Sequence, residues 1–373
     1  MSELQLDSLE IKNFRCFEHL TIEKLGRVNL IVGKNSVGKT CLLEALQILA
    51  SRADSEVLNN ILIARNELFK DEEAELSQLA DSFGNFFYNR ECRVGESSAY
   101  IGSINTIYSV VFSLVYYTIN QDESGENRKA RTLTLDDQDL YDDFSIGIRV
   151  KDSSKKNRIK KLAIPRRNSI RLRDKNGDLT NFMLISTSGL DNNLMAGLWD
   201  EIALTPMEDV TISALRIINK DIEKYSFHGV KPNRYPRVKH KSNANPIPLR
   251  SLGEGLPRAL GMALALVNAK NGWLLIDEFE IGLYHRIQAD LWRMVFKLAR
   301  ELKIQVFATT HSLDCVKAFQ EAAAEDQNET ATEDQNAEAM LIRLARGKNG
   351  QIRAVPYDEE ELAIATEQNI EVR

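Results

Sequence analysis

The 373-residue sequence predicts an α/β fold with a mixed sheet, and two apolar segments far apart in the chain support this prediction. Val28–Val32 is a largely apolar run, as expected of a strand buried on both faces, and an amphipathic helix follows over Cys41–Leu49. Trp273–Ile276 is a second apolar strand, and it ends in two carboxylates. A hydrophobic content of 43% and a charged content of 27% are typical of a globular protein with an ample core.

The turn after the first strand has the spacing of a phosphate-binding loop, Gly33-x-x-x-x-Gly38-Lys39-Thr40. Glycines let backbone N–H groups point inward at a phosphate, and the helix start adds the positive end of its dipole. Lys39 would supply a cation for the β- and γ-phosphates, and the Thr40 hydroxyl would hold Mg²⁺. The sequence therefore predicts a site for ATP and Mg²⁺, to which we also assign the neighbouring residues Lys34, Asn35 and Cys41.

Two carboxylates follow the second strand. Asp277 and Glu278 would lie at its carboxyl end, where ligands of open α/β sheets bind. Asp277 suits Mg²⁺ coordination, and Glu278 suits a general base for an attacking water. We expect the two strands to be neighbours in one sheet, although Lys39 and Asp277 are 238 positions apart. The intervening chain must therefore leave the nucleotide-binding fold and return to it.

Two further segments fit the same site. Ser251, Gly253 and the early Pro257 lead into an apolar helix over Ala259–Ala269, which predicts a helix N-terminus open to an anion. The apolar segment that starts at Val306 ends in Thr-Thr-His, which would place His311 beside the γ-phosphate as a donor or sensor. A purely structural histidine is the alternative.

The remaining segments have simpler patterns. Strands are predicted over Leu4–Phe14, Leu20–Glu23, Tyr108–Phe112 and Phe144–Val150, the last two in an antiparallel sheet. Helices are predicted over Ser51–Leu79 and over Asp191–Tyr225, where Leu215, Ile218 and Ile222 would share one face. Residues 325–336 repeat acidic and amide residues, which predicts a disordered loop.

Charge and targeting signals bear on the choice of partners. The net charge is −6, so a contact with nucleic acid would need a local basic patch. Lys151–Lys175 and Lys231–Lys241 are basic enough to follow a phosphate backbone, and solvated loops are an equally good interpretation. The four scattered cysteines favour reduced thiols. We find no secretory signal and no apolar run long enough to cross a membrane, and therefore expect a cytoplasmic protein.

Taken in order, these motifs resemble a known family. Lys39-Thr40, Ser251-x-Gly253-Glu254, Asp277-Glu278 and His311 are similar to the ABC-type ATPase heads of the SMC, RecF and OLD-like families. The opening segment Ile11–Phe17 is similar to their first-strand motif, which implies that Arg15 is a nucleotide contact. The likeness is greatest to stand-alone prokaryotic AAA-type ATP-binding proteins of the OLD-like group, through Asp277–Leu283 and Gln305–Ser312. It covers residues 1–50 and 245–373.

The resemblance implies a head-to-tail dimer with ATP between the protomers. The Lys39 loop of one chain would face Ser251, Gly253 and Glu254 of the other. The chain departs from the family pattern at Leu252, where transporters have Gly, and at Tyr284, where Asp is common. It has no long heptad array, and we expect no fused nuclease domain after His311.

We therefore predict one composite ATPase head with a mixed sheet in two lobes. Residues 1–150 would form the N-terminal lobe, residues 246–373 the C-terminal lobe, and residues 151–245 a short helical and basic insert. The predicted function is an ATP hydrolase whose ATP-gated dimerisation regulates a partner effector in phage defence or DNA maintenance. The alternative is a DNA-binding clamp with slow hydrolysis. A small-molecule kinase would leave the Ser251 turn and His311 without a role.

Overall fold

The structure is a computed structural model, and it describes residues 4–68, 76–104, 108–121, 128–133, 144–152, 157–161, 180–330, 339–358 and 361. Within these residues the strands are β1 (Leu9–Phe14), β2 (Phe17–Ile22), β3 (Val28–Val32), β4 (Ala99–Gly102), β5 (Ser109–Gln121), β6 (Arg128–Leu133), β7 (Ser145–Asp152), β8 (Asn157–Lys161), β9 (Phe182–Ile185), β10 (Ile222–His228), β11 (Tyr235–His240), β12 (Ile247–Pro248), β13 (Trp273–Ile276), β14 (Gln305–Thr309), β15 (Ala339–Arg346) and β16 (Ile352–Tyr357). The helices are α1 (Lys39–Ala50), α2 (Ser55–Ala64), α3 (Leu76–Gly84), α4 (Asn192–Ile202), α5 (Pro206–Ile218), α6 (Gly255–Asn268), α7 (His285–Glu301) and α8 (Leu313–Thr330).

A six-stranded sheet carries the candidate site. Its order is β16-β15-β3-β14-β13-β9, and all pairs are parallel except β15–β16. The predicted strands Val28–Val32 and Trp273–Ile276 lie in this one sheet, as expected. The prediction that they are neighbours is wrong, because β14 lies between them. The carboxyl ends of β3, β14 and β13 therefore meet at one edge with β14 in the middle.

The second sheet is antiparallel and uses the first part of the chain. Its order is β2-β1-β4-β5-β7-β8, and β6 pairs with β5. The predicted strands Tyr108–Phe112 and Phe144–Val150 lie in β5 and β7, which pair antiparallel as expected. The strand predicted over Leu20–Glu23 belongs to β2, which already begins at Phe17. A small third sheet contains β10, β11 and β12.

The parallel sheet is the middle layer of three. Val28, Leu30 and Val32 of β3 pack into a core formed with α4, α5, α6, α7 and α8. Ile31, which points to the opposite face, packs into a second core with α1, α2 and the antiparallel sheet. Strand β3 is thus buried on both faces, which explains why its sequence is a continuous apolar run.

The middle of the chain contributes to the main fold. Strand β8, at residues 157–161, extends the antiparallel sheet, and β9 extends the parallel sheet beside β13. The region predicted as an insert, residues 151–245, thus supplies strands to both sheets. Most of the basic segment Lys151–Lys175 lies outside the described residues, which include only 151–152 and 157–161 of it. The division of the chain at residues 150 and 245 stays a prediction.

Several helix predictions need new boundaries. The pattern over Asp191–Tyr225 forms α4 and α5, but Ile222 opens β10, because Asn219 at the end of α5 has extended backbone angles. The Ser51–Leu79 pattern forms α2 and the start of α3, and residues 69–75 between them are outside the described part. Residues 325–330, predicted as a loop, continue α8, and residues 331–336 are not among those described. No helix in the described residues is long and apolar enough to cross a membrane.

Candidate functional site

The loop between β3 and α1 has the backbone geometry of an anion-binding turn. Gly33 and Gly38 have positive φ angles of 152° and 94°. A Cβ atom on Gly33 would lie 2.5 Å from the Leu344 carbonyl oxygen, and one on Gly38 would lie 2.6 Å from Cys16 Sγ. Both positions therefore require glycine. Gly38 is the N-cap of α1, so the first N–H groups of this helix lack intrahelical acceptors and can bind an anion.

Lys39 is buried beside this loop. Its ammonium group donates hydrogen bonds to the carbonyl oxygens of Gly33 at 2.7 Å and Lys34 at 3.3 Å. Burial lowers the pKa of Lys39, because a low-dielectric environment disfavours the charged form. The carboxylates that follow β13 oppose this shift, namely Glu278, Glu280 and Asp277. Lys39 therefore lies between the loop backbone and an acidic sheet edge, where a phosphate would stabilise its charge.

The predicted magnesium ligands lie next to each other. The Thr40 hydroxyl is 3.4 and 3.3 Å from the two carboxylate oxygens of Asp277. The Thr309 hydroxyl, at the end of β14, donates a 2.7 Å hydrogen bond to Asp277 Oδ1 and so orients this carboxylate. Hydroxyl and carboxylate oxygens fit Mg²⁺, which usually takes one or two protein carboxylates and completes its shell with phosphate and water. Within the described residues no group of three or more His, Cys, Asp or Glu side chains forms a metal cluster.

Hydrogen bonds to its N–H group and to its carbonyl oxygen hold the backbone of Glu278. Its φ angle of 51° lies in the left-handed region, which is unusual for a residue with a side chain. Its N–H group donates a 2.8 Å hydrogen bond to the Thr309 hydroxyl, and its carbonyl oxygen accepts one from Arg258 Nη2 at 3.3 Å. The side chain is 32% exposed, so this carboxylate is fixed at its base and accessible at its tip. A general base must be held in position and must also reach the water that it deprotonates.

His311 lies close to two of the three acidic residues that follow β13. Its Nδ1 atom is 3.0 Å from Glu280 Oε1 and 3.7 Å from Glu278 Oε1. The imidazole is about half exposed. The structure therefore brings His311 together with the predicted general base, and Glu280 is its nearer partner.

The Ser251 turn is exposed and leads into helix α6. Ser251, Gly253 and Glu254 are exposed, and the Glu254 carboxylate bonds to Arg250, 3.1 Å away. Gly253 has φ 116°, and a Cβ placed there would have no atom within 4 Å. Helix α6 begins at Gly255, four residues before the predicted helix start. The turn is therefore an open helix N-terminus.

Protein groups surround Arg15 in this structure, and its contact with the nucleotide stays a prediction. Its guanidinium is buried and bonds to Glu44 of α1 and to Glu67. It also bonds to the Asn85 carbonyl oxygen and lies over the Phe86 ring at 4.8 Å. Arg15 therefore joins an ion cluster inside the second core.

The other residues assigned to the loop differ in whether their side chains are exposed or bonded to neighbouring residues. Lys34 and Asn35 are exposed on the outer side of the turn. The Cys41 thiol hydrogen-bonds to the Cys16 thiol, which lowers the pKa of Cys41, and it also accepts a 3.4 Å hydrogen bond from Arg65. Its side chain thus points into neighbouring structure, and only its backbone N–H at the start of α1 is left for a phosphate.

Four residues near the site were not assigned from the sequence. They are Arg258, Glu280, Thr309 and Arg346, whose Nη2 donates a 3.4 Å hydrogen bond to the Ser36 carbonyl oxygen of the loop. Glu280 and Thr309 lie within segments that already carried a motif, so their positions were a usable signal. Arg258 follows Pro257 in the segment predicted as a helix N-terminus, but only the packing of α6 places it beside Glu278. Arg346 has no motif around it, and only the packing of β15 places it here.

Comparison with known proteins identifies the family. Residues 28–314 match the family described as "AAA domain, putative AbiEii toxin, Type IV TA system". The chain belongs to this AAA family. The matched residues include the Gly33 loop, the Ser251 turn, Asp277, Glu278 and His311. The family therefore spans all the segments that form the candidate site and the exposed turn.

Individual relatives share shorter or weaker similarity. An uncharacterized protein of Methanocaldococcus jannaschii is 35% identical over 68 residues, which are 17% of this chain and 31% of that protein. A Helicobacter pylori protein named ATP/GTP phosphatase is 22% identical over 348 residues, 86% of this chain and 89% of the relative. The DNA replication and repair protein RecF of Bacillus mycoides is 36% identical over 55 residues, 15% of each chain. This chain thus spans about a third of the first relative.

Among solved structures, the SMC head domain from Thermotoga maritima aligns with 95% of this chain and 100% of its own, at 13% identity and a TM-score of 0.45. The predicted α/β P-loop fold is confirmed. The predicted relation to ABC-type ATPase heads of the SMC and RecF kind is also confirmed. The finer assignment to the OLD-like group stays a prediction.

Proposed function

We propose that this chain is an ATP-hydrolysing switch that dimerises around ATP and regulates a separate effector in phage defence or DNA maintenance. One observation carries this proposal. Lys39, Thr40, Asp277, Glu278 and His311 come from three strand ends and meet at one edge of a single parallel sheet. These residue types supply a phosphate cation, a metal site, a general base and a phosphate sensor, which together are what ATP hydrolysis needs.

Each residue has a distinct role in the proposed reaction. The Gly33 loop and Lys39 would bind the β- and γ-phosphates. Thr40 and Asp277 would hold Mg²⁺, which when bound neutralises charge on the phosphate oxygens. Glu278 would accept a proton from the attacking water, and its anchored backbone would keep the carboxylate in position. Because the protein forms no covalent bond to the substrate, positioning and electrostatics would provide the rate enhancement.

Dimerisation is proposed from the position of the Ser251 turn. This helix N-terminus is exposed, its Gly253 leaves open space, and Glu254 bonds to its neighbour Arg250. A helix N-terminus of this kind can bind the γ-phosphate of ATP held by a second copy. Such an arrangement would complete the site only when ATP is present, so ATP would control association.

The effector is proposed from the family. Its description names a toxin and a type IV toxin–antitoxin system, in which an ATPase could act together with another protein. Phage defence and DNA maintenance are both compatible with this arrangement. A cytoplasmic location also stays a prediction.

A Glu278→Gln variant tests the function. Because the amide cannot accept the proton from water, we expect ATP turnover to fall by about 10²–10⁴-fold while ATP still binds. The variant should accumulate as an ATP-bound dimer in light scattering, and wild-type activity per chain should rise with protein concentration. Glu301→Gln, an exposed change at the end of α7, is the control. A constant rate per chain from nanomolar to high micromolar concentration, in a protein that stays monomeric with ATP, would contradict the proposal.

A DNA clamp with slow hydrolysis is the second candidate. The similarity to RecF, a DNA replication and repair protein, favours it. In the Lys231–Lys241 segment, however, Arg234 pairs with Asp200, Lys239 with Glu223 and Lys241 with Asp221. These pairs reduce the positive charge available to a phosphate backbone.

DNA binding measured as a function of salt separates the two candidates. A clamp should lose affinity steeply as salt rises, and should lose it again when the lysines and arginines of the two basic segments are changed to Glu. A DNA affinity that changes neither with salt nor with the substitutions to Glu would exclude the DNA clamp.

A further inference from the structure

Glu280 is a nearly buried carboxylate that binds His311 twice. Its side chain is only 10% exposed. The Oε1 atom accepts a hydrogen bond from the His311 backbone N–H at 3.0 Å and lies 3.0 Å from His311 Nδ1. The corresponding distance from Nδ1 to Glu278 Oε1 is 3.7 Å, beyond a hydrogen bond. Glu280 is thus the residue that orients this imidazole.

This contact determines which ring nitrogen carries the proton. An ionised carboxylate can only accept hydrogen bonds, so Nδ1 of His311 must be the protonated nitrogen. Nε2 is then the nitrogen left for substrate. In the neutral ring Nε2 is an acceptor, as phosphate oxygens are, so donation to a γ-phosphate needs a second proton on Nε2. A carboxylate at Nδ1 stabilises the imidazolium that results.

Arg258 of α6 interacts electrostatically with Glu280. Within the described residues, Glu280 Oε2 and Arg258 Nε are both buried without a hydrogen-bond partner. Burial lowers the pKa of Arg258, and the nearby Glu280 carboxylate opposes that shift. Arg258 also donates a hydrogen bond to the Glu278 carbonyl oxygen, so the same arginine contacts the backbone of the proposed general base.

We propose that Glu280 is the positioning residue for His311, holding the ring with its proton on Nδ1 and its Nε2 free for the γ-phosphate. The contribution to hydrolysis rests on the proposed function above, whereas the tautomer does not. The other charged or titratable groups around this pair are Lys39, Asp277, Glu278 and the buried Cys315 thiol.

Nitrogen-15 NMR of histidine tests the tautomer in the nucleotide-free protein. The chain has five histidines, and the spectrum of His311→Ala identifies the His311 signals. We expect Nδ1–H in the wild type, the same tautomer in Glu280→Gln, whose amide oxygen still accepts, and loss of that preference in Glu280→Ala. Glu301→Ala is the control, and circular dichroism checks that each variant is folded. An Nε2–H tautomer in the wild type, or no change in Glu280→Ala, would overturn the proposal.

Single-turnover ATP hydrolysis tests the functional part. Removing the charge in Glu280→Gln should lower the rate by about 10- to 100-fold, as loss of a supporting carboxylate does. The affinity for ATP should change by no more than about twofold, because the triphosphate is bound by the loop. Glu280→Asp should recover part of the rate, since it restores the charge.

A double-mutant comparison separates positioning from a direct role. If Glu280 acts through His311, adding Glu280→Gln to His311→Ala should cause no further loss of rate. Additive losses would show that Glu280 acts on its own and would overturn the proposal. If the wild type hydrolyses no ATP, the proposed function fails, but the NMR result still decides whether Glu280 positions His311.

Discussion

At the scale of single residues, the site depends on a backbone conformation that side chains disfavour. Glu278 has φ 51°, and a residue in the left-handed region costs about 1–3 kcal/mol. Hydrogen bonds to Thr309 and from Arg258 hold it there. This strained backbone lies at the proposed general base, where a fixed carboxylate orientation matters for proton transfer. Residues that hold the backbone therefore matter as much as the carboxylate.

Arg15 shows how a motif residue can take a structural role. Its guanidinium bridges Glu44 and Glu67 inside the protein and is 5% exposed. The acidic partners lie far along the chain from Arg15, so the local sequence Phe-Arg-Cys-Phe contains no sign of them. A buried ion cluster explains why an arginine is needed even without a nucleotide contact.

We predict that Arg15→Ala lowers the free energy of unfolding by about 3 kcal/mol, because it removes one of the two arginines that pair with Glu44 and the nearer arginine partner of Glu67. ATP affinity should remain close to that of the wild type. Urea denaturation and titration with a fluorescent ATP analogue measure the two effects, with the exposed Lys12→Ala as control. A large loss of affinity with unchanged stability would instead support the nucleotide contact predicted from the family resemblance.

At the scale of secondary structure, β14 joins the two halves of the site. It lies between β3 and β13. Its last residue, Thr309, forms hydrogen bonds with both Asp277 and Glu278. The Thr309 hydroxyl donates to Asp277 Oδ1 and accepts from the Glu278 N–H. The fully buried Thr309 side chain thus positions both the proposed metal ligand Asp277 and the proposed general base Glu278.

We expect Thr309→Val to show the effect of losing the Thr309 hydroxyl while the shape of the side chain is kept. Valine has nearly the same shape, but it leaves the Glu278 N–H without its acceptor, which costs about 1–3 kcal/mol of stability. The rate of ATP hydrolysis should fall by about 10- to 100-fold as Asp277 loses its orientation. Thr309→Ser keeps the hydroxyl and should retain most of the activity. Equal activities in the valine and serine variants would show that the hydroxyl is not needed.

At the scale of the whole molecule, the Gly33 loop lies at the acidic edge of the sheet, whereas the Ser251 turn leads into α6. The acidic sheet edge collects its residues from β3, β13 and β14, while the turn before α6 remains exposed. A head-to-tail dimer would bring the loop and the turn together across ATP. This arrangement predicts that each active site combines residues of two chains.

Mixing two inactive variants tests this directly. Lys39→Ala removes the phosphate cation, and Ser251→Arg blocks the exposed turn. Each variant alone should be inactive, but a mixture should regain activity, because one of the two sites in a mixed dimer has an intact loop and an intact turn. The steady-state rate against the mixing ratio is the measurement, with Lys39→Ala mixed with Glu301→Arg as the control. Failure of every ratio to restore activity would argue against shared sites.

The local motifs were readable from the sequence. Gly33, Gly38, Lys39 and Thr40 impose their own geometry, since only glycine tolerates the φ angles of the loop and the helix follows at once. The apolar runs of β3 and β13 likewise identify buried strands, and two carboxylates follow the end of β13. These features arise from residues adjacent in the chain, so a linear pattern contains them.

The tertiary structure alone decided which distant segments meet. Insertion of β14 between β3 and β13, the inclusion of β9 in the parallel sheet and the burial of Arg15 all depend on contacts between residues far apart. The pairing of Glu280 with His311 has the same origin, since two side chains on neighbouring loops become partners only after the strands are ordered. Sequence determined the chemistry of each segment, and packing determined its neighbours, because burial of apolar faces selects the strand order and no local pattern encodes that order.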